Sequence, residues 1–187
     1  MSPRIQILYE DKLSPSNPKN FGPHVLVLAC VAARLGRDRS LLSSHVTAYA
    51  CKGVDRLLQR CQDPNLLDGY ARVLALCDDD EIRPHVKLPA TACKLQVVAA
   101  MRPRGEDARR LQPVLLAANL ETVLDTIVEI RGEDPLTSKP RPPERDRILL
   151  GFVHRAAPEQ LRELTQRVAS LGYLIGKLER AIVELKL

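Results

Sequence analysis

Residues Val73–Asp80, Val-Leu-Ala-Leu-Cys-Asp-Asp-Asp, constrain this chain more than any other segment, because an apolar run passes into three consecutive carboxylates without a break. A short continuous apolar run reads as a strand buried on both faces, the kind found inside parallel sheets. Such strands end at the sheet edge where α/β folds place their ligands, so the acids arrive where chemistry is done. A second strand-like run, Ile5–Tyr9, also ends on acids, Glu10 and Asp11. Two strand ends carrying carboxylates to one edge predict a Mg²⁺ or Mn²⁺ cradle, since hard cations take oxygen ligands.

Strand and helix patterns alternate around these two runs. Strand 1 is expected over Arg4–Tyr9, followed by a polar, Pro-rich loop, Asp11–Gly22, and a mostly apolar helix from Pro23 and His24 to Leu35. Strand 2 spans His45–Ala50, and Val54–Cys61 carries apolar residues at helical spacing. After strand 3, Arg72–Cys77, the acids open a loop, and a helix follows over Ala92–Met101 with Thr91 as its N-cap. Strand 4 is Gln112–Ala118, and Leu120–Ile130 is a helix closed by Gly132. Strands joined by helical runs imply βαβ units, hence an α/β fold with a mainly parallel four-stranded sheet flanked by helices. Residues 132–147 hold four prolines among many charges and read as a loop. Beyond them, apolar residues from Leu161 to Ile182 recur at helical spacing, a helical hairpin or a bent long helix with Pro158 near its start and Gly172 in its middle.

Composition narrows the function classes. The chain of 187 residues, 45% apolar and 27% charged, is long enough to bury a sizeable core. Its longest apolar stretch, Val25–Ala33, is too short to span a bilayer, and no leader-like pattern opens the sequence, so no membrane role and a cytoplasmic location are expected. Five cysteines without a CxxC pair suit a reducing compartment and argue against zinc. The net charge of +5 comes with arginines clustered in 102–110 and 131–147. Such clusters favour phosphate contacts, although acids interleave throughout both. Four Tyr, two Phe and no Trp leave little for base stacking. The four histidines (His24, His45, His85, His154) show no ligand spacing, and no Gly-rich phosphate loop is present.

Glu10, Asp78 and Asp80 form the candidate metal group. On an extended chain, residues two apart point the same way, so Asp78 and Asp80 are expected to reach one cation while Asp79 points elsewhere. Acids at strand ends also cap helices or solvate loops; Glu10 on the companion strand weighs for metal.

The order of elements over roughly residues 4–131 resembles the Toprim fold, the catalytic domain of topoisomerases, primases and OLD-family nucleases. That family carries a glutamate at the end of its first strand, matched by Glu10, and an Asp-x-Asp pair at the end of its third, matched by Asp78 and Asp80. Ala50-Cys51-Lys52-Gly53 resembles the turn after the second strand in small OLD-type proteins, and Asn119-Leu120-Glu121 resembles a segment they carry after the fourth. The chain departs from the family at Asp11, where glycine is usual, and in the longer loop Asp11–Gly22. The resemblance implies a Mg²⁺- or Mn²⁺-dependent nuclease acting on nucleic acid, DNA before RNA, in anti-phage defence. Glu10 would be general acid/base or a metal ligand, Asp78 and Asp80 metal ligands, and Glu121 an outer ligand. Lys52 would sit near a phosphate, and Lys139, in the Pro-rich loop, would stabilise a cleavage transition state. The chain is accordingly divided into a Toprim-like domain over 1–131, a Pro-rich loop over 132–147 read from its composition, and a helical extension over 148–187, read from its periodicity and expected to pack on the same domain. Those last helices offer a face for a partner protein or a homodimer.

Two other classes compete. A receiver-like signalling domain would use Glu10-Asp11, Asp78 as phospho-acceptor and Lys139-Pro140, but the gap from Asp11 to Asp78 is too long for it. A non-catalytic subunit on a Toprim scaffold would keep the fold and bind a protein partner instead.

Overall fold

A computed structural model describes residues 4–10, 23–63, 65, 69–103, 109–117, 120–138 and 140–187. Asp11, the remainder of the loop to Gly22, Asn119 and Lys139 lie outside the described residues. The chain forms two compact units. The first comprises Met1–Lys19, Ser44–Ala117 and Ala181–Leu187; the second comprises Asn20–Ser43 and Ala118–Arg180.

The first unit is an α/β layer structure. Strands β1 (Ile5–Tyr9), β2 (Val46–Ala50), β3 (Arg72–Asp78) and β4 (Leu111–Leu116) form a sheet in the order β2-β1-β3-β4, every neighbouring pair parallel. The apolar runs of β1 and β3 behave as a doubly covered strand must: Ile5, Ile7 and Leu8, and Val73 through Cys77, are all buried, with both faces of the sheet removed from water. Helices α3 (Val54–Cys61), α4 (Asp79–His85) and α5 (Lys94–Met101) contribute Val54, Leu57, Cys61, Ile82, Val97 and Met101 to one buried cluster. The sheet contributes Leu8, Val73, Ala75, Cys77 and Leu111 to the same cluster. The alternate positions Val73, Ala75 and Cys77 of β3 thus face these helices, as strand geometry dictates. Pro113 interrupts the donor row of β4, which is tolerated because β4 is an edge strand.

The second unit is helical: α1 (Pro23–Leu35), α2 (Arg39–Ser43), α6 (Leu120–Ile130), α7 (Pro142–Arg155), α8 (Pro158–Arg167) and the greater part of α9 (Ala169–Glu184). The apolar run of α1 is buried from His24 to Ala32 against α7 and α8, and α6 packs on the same two helices. Gly132 closes α6 at φ 68°, with the Glu133 amide donating to the Val128 carbonyl at 3.1 Å, the left-handed cap that glycine accepts without strain. Arg34–Glu179, Arg167–Glu129 and Arg167–Glu163 ion pairs link helices or helix turns on its surface.

Several elements differ from the sequence expectation. The acids after β3 open a helix rather than a loop. Helix α5 begins at Lys94, two residues later than expected; Cys93 rather than Thr91 caps it, the Cys93 amide donating to Gln96 Oε1 at 2.8 Å. Strand β4 is shifted to Leu111–Leu116. Part of the expected Pro-rich loop is helical, because Pro142 and Pro143 occupy the first helical positions, where a proline costs no hydrogen bond. The last part is two helices, α8 opening at Pro158 and α9 following the Val168 cap, with Gly172 near the start of α9. A Cβ at Gly172 would run into the Thr165 carbonyl oxygen, so this glycine serves the close approach of α9 to α8.

Candidate metal centre

The chain turns back on itself in strand order between β1 and β3: from β1 it moves one way to β2, and β3 and β4 lie on the other side. In parallel α/β sheets this reversal opens a crevice at the carboxyl ends of the two central strands. Glu10 directly follows β1, and Asp78 is the last residue of β3. Tyr9 pairs with Leu76. One further step along this register sets Glu10 level with Cys77, next to Asp78, on strands about 4.8 Å apart.

Asp78 is also the N-cap of α4, with extended backbone at φ −72° and ψ 133°; Asp79, Asp80 and Glu81 form the first turn. Negative charge there is favoured by the helix dipole, which accounts locally for acids at these positions. It does not account for their grouping with Glu10. Carboxylate oxygens of Glu10, Asp78 and Glu81 all lie within 4.8 Å of one another, Glu10 and Asp78 half-buried and Glu81 exposed. Asp78 makes no side-chain hydrogen bond that caps α4, so the Asp78-x-x-Glu81 spacing is not serving as a capping box.

The expectation that Asp78 and Asp80 share a cation rested on strand periodicity, and the periodicity changes at that point. Once the chain is helical, residues three apart share a face and residues two apart do not. Glu81 therefore joins Asp78, while Asp80 stands exposed on the first turn, outside the group. Asp79 points elsewhere: it accepts from Arg83 Nη2 at 3.0 Å and lies 3.5 Å from Lys94 Nζ.

The thiol of Cys77 senses this edge. Burial pushes its pKa well above the ordinary thiol range, and the charges of Glu10, Cys61, Asp78 and Asp79 add to the effect in that order. Cys77 is a packing residue, with its Sγ 3.9 Å from Met101 Sδ.

Lys52 follows β2 and is half-buried, in the left-handed region at φ 65°, ahead of Gly53 at φ 126°. The Cys51 amide donates to the Tyr9 carbonyl at 2.7 Å, so this turn starts beside the end of β1. Glu121 lies in the first turn of α6, in the second unit. Of the histidines, His85 pairs through Nδ1 with Asp55 Oδ1 at 2.6 Å, joining α4 to α3. In the second arginine cluster, Arg131 pairs with Glu133 and Arg145 with Asp146, so these two carry ion pairs of their own. No helix among the described residues is long and apolar enough to cross a membrane.

No family model matches the chain, and no curated protein matches it. Two solved structures of the C-terminal region of the Xanthomonas campestris pv. campestris OLD protein are similar in part. The one phased with platinum overlaps with TM-score 0.35 at 14% identity, covering 96% of this chain and 82% of that one. The one phased with iodine gives 0.30 and 14%, covering 96% and 84%. At such scores the likeness carries no argument, and the functional reading rests on the carboxylates.

Proposed function

We propose that this protein is a divalent-metal-dependent phosphodiesterase acting on nucleic acid, with Glu10, Asp78 and Glu81 holding the metal. The observation that carries the reading is the convergence of three carboxylates at the reversal point of a parallel sheet. An all-oxygen, anionic donor set suits Mg²⁺ or Mn²⁺ and suits soft metals poorly. A cation bound there would stabilise charge on a phosphoryl oxygen and acidify a water. Asp78 is the central ligand, supplied by a strand end and fixed at a helix start. Glu10 serves as ligand or as proton acceptor for the attacking water.

Lys52, in the turn after β2 that starts beside the end of β1, is the candidate whose ammonium would meet a phosphate oxygen. The net charge of +5 favours a polyanionic substrate. Five free thiols fit a reducing cytoplasm, and the resemblance of Glu10 and Asp78 to the strand-end acids of OLD-type nucleases suggests DNA as substrate and anti-phage defence as setting. Nicking of supercoiled plasmid with Mn²⁺ tests the reading. Activity should vanish with EDTA and in Asp78→Ala and Glu10→Ala; chelator-resistant cleavage, or variants as active as the parent, would overturn it.

A further inference from the structure

Helix α3 sorts its charges to two sides. Asp55 turns toward α4, where its Oδ1 meets His85 Nδ1 at 2.6 Å. Arg60 turns toward the edge strand β2, its guanidinium 4.1 Å from the centre of the Tyr49 ring. Arg56 is exposed one turn earlier and, four residues away, shares that side of the helix, while Val54, Leu57 and Cys61 are buried beneath. Burial raises the Cys51 thiol and the Arg60 charge opposes the rise, so this guanidinium reaches the end of β2.

Arg72 and Arg83 of the same unit pair with Glu184 and Asp79. Arg56 and Arg60 have no carboxylate partner among the described residues: Asp55 is engaged by His85, and Asp63 accepts from the Asn65 amide at 2.9 Å. Stacking rather than hydrogen bonding holds Arg60, whose Nε is buried without a partner. A guanidinium fixed on an aromatic face, with its outer donors unengaged, is prepared for an anionic oxygen.

We propose that Arg56 and Arg60, braced by Tyr49, form a docking strip for the phosphate backbone of a nucleic-acid strand. The strip takes from the functional reading above only its class of substrate, and it needs no metal. Two cations in a row, about 5–6 Å apart at Cβ, match successive phosphates along one strand; an open row encloses no single small anion. Helix α3 starts directly after the turn that carries Lys52, so the strip leads toward the sheet edge of Glu10 and Asp78.

The test is fluorescence anisotropy of a labelled single-stranded DNA oligonucleotide in EDTA at several salt concentrations, with thermal melting as a check on folding. Each lost phosphate contact lowers the slope of log affinity against log salt by ~0.7. Arg56→Gln combined with Arg60→Gln should therefore lower it by about 1.4 and weaken binding at 0.1 M salt roughly 25-fold, one decade of that slope. Arg56→Lys with Arg60→Lys keeps both charges and should keep the parent slope. Arg147→Gln with Arg155→Gln removes the same charge from two exposed arginines of α7 and should keep it too. An unchanged slope in the folded Arg56/Arg60 glutamine pair, an equal loss in the α7 pair, or a parent that binds no oligonucleotide overturns the proposal. Metal use is read separately, as Mn²⁺-dependent nicking, so binding in EDTA without nicking contradicts the metal reading and leaves the strip in place.

Discussion

Neutralising Glu81 should stabilise the metal-free protein while neutralising its neighbour Asp80 should not. Both residues are exposed in the first turn of α4, and both substitutions, Glu81→Gln and Asp80→Asn, forfeit a dipole interaction of about 0.3–1 kcal/mol. They differ in their surroundings. Glu81 has two carboxylate oxygens within 4.8 Å, and at that distance each pair repels by ~0.9 kcal/mol even with the full dielectric of water. Removing its charge therefore relieves roughly 1.7 kcal/mol that Asp80→Asn leaves in place. Water screening is already included, and a Debye length of about 10 Å at 0.1 M salt leaves most of so short an interaction intact. For a chain of this size the difference between the two variants is roughly 3–6 °C in melting midpoint. Scanning calorimetry in EDTA measures it. With Mn²⁺ at a hundred times its dissociation constant the order should reverse: parent and Asp80→Asn gain about 2.7 kcal/mol, and Glu81→Gln gains little. Equal midpoints for the two variants, with and without Mn²⁺, would refute the grouping of Glu81 with Glu10 and Asp78.

Further outcomes follow from the packing. Cys93 is exposed, while Cys30, Cys51, Cys61 and Cys77 are buried, and burial pushes Cys51 up to about 11 and Cys30 and Cys61 up to about 12. Below pH 9 those buried thiols stay protonated, so Ellman's reagent should find one fast thiol in the native chain and five after unfolding. Gly172→Ala forces a methyl against the Thr165 carbonyl and should lower stability by about 1–3 kcal/mol, read as a fall in urea midpoint. Ile82 is fully buried and anchors α4, so Ile82→Ala should cost about 2–5 kcal/mol and weaken Mn²⁺ binding together with stability.

Much of the scaffold was legible because burial imposes periodicity. The apolar runs of β1 and β3 and the helical spacing of Val54–Cys61 are direct prints of a doubly covered sheet and its packed helix, and all three appear in the structure. The helix α4 was not legible for two reasons. Three aspartates in a row resemble a loop, and Pro84 sits inside the segment. Its signals were present but local: acids at helix-start positions, Asp79 four residues before Arg83, and Ile82 followed by Val86. A strand period of two selects Asp80 beside Asp78, whereas the helical period of 3.6 that begins at α4 brings Glu81 there instead. In the same way Pro142 and Pro143 read as loop residues, although a helix start accommodates both. The division into two units was illegible for a different reason: each is assembled from segments far apart in sequence, and only tertiary contacts define them.

Whether Glu10, Asp78 and Glu81 share one ion can be seen in a crystal soaked in Mn²⁺, through the anomalous signal. One strong peak is expected, with an oxygen of each of the three carboxylates at about 2.0–2.3 Å and no contact from Asp79. A peak held by Asp80 without Glu81, or an ordered site with no manganese in it, would contradict the shared site.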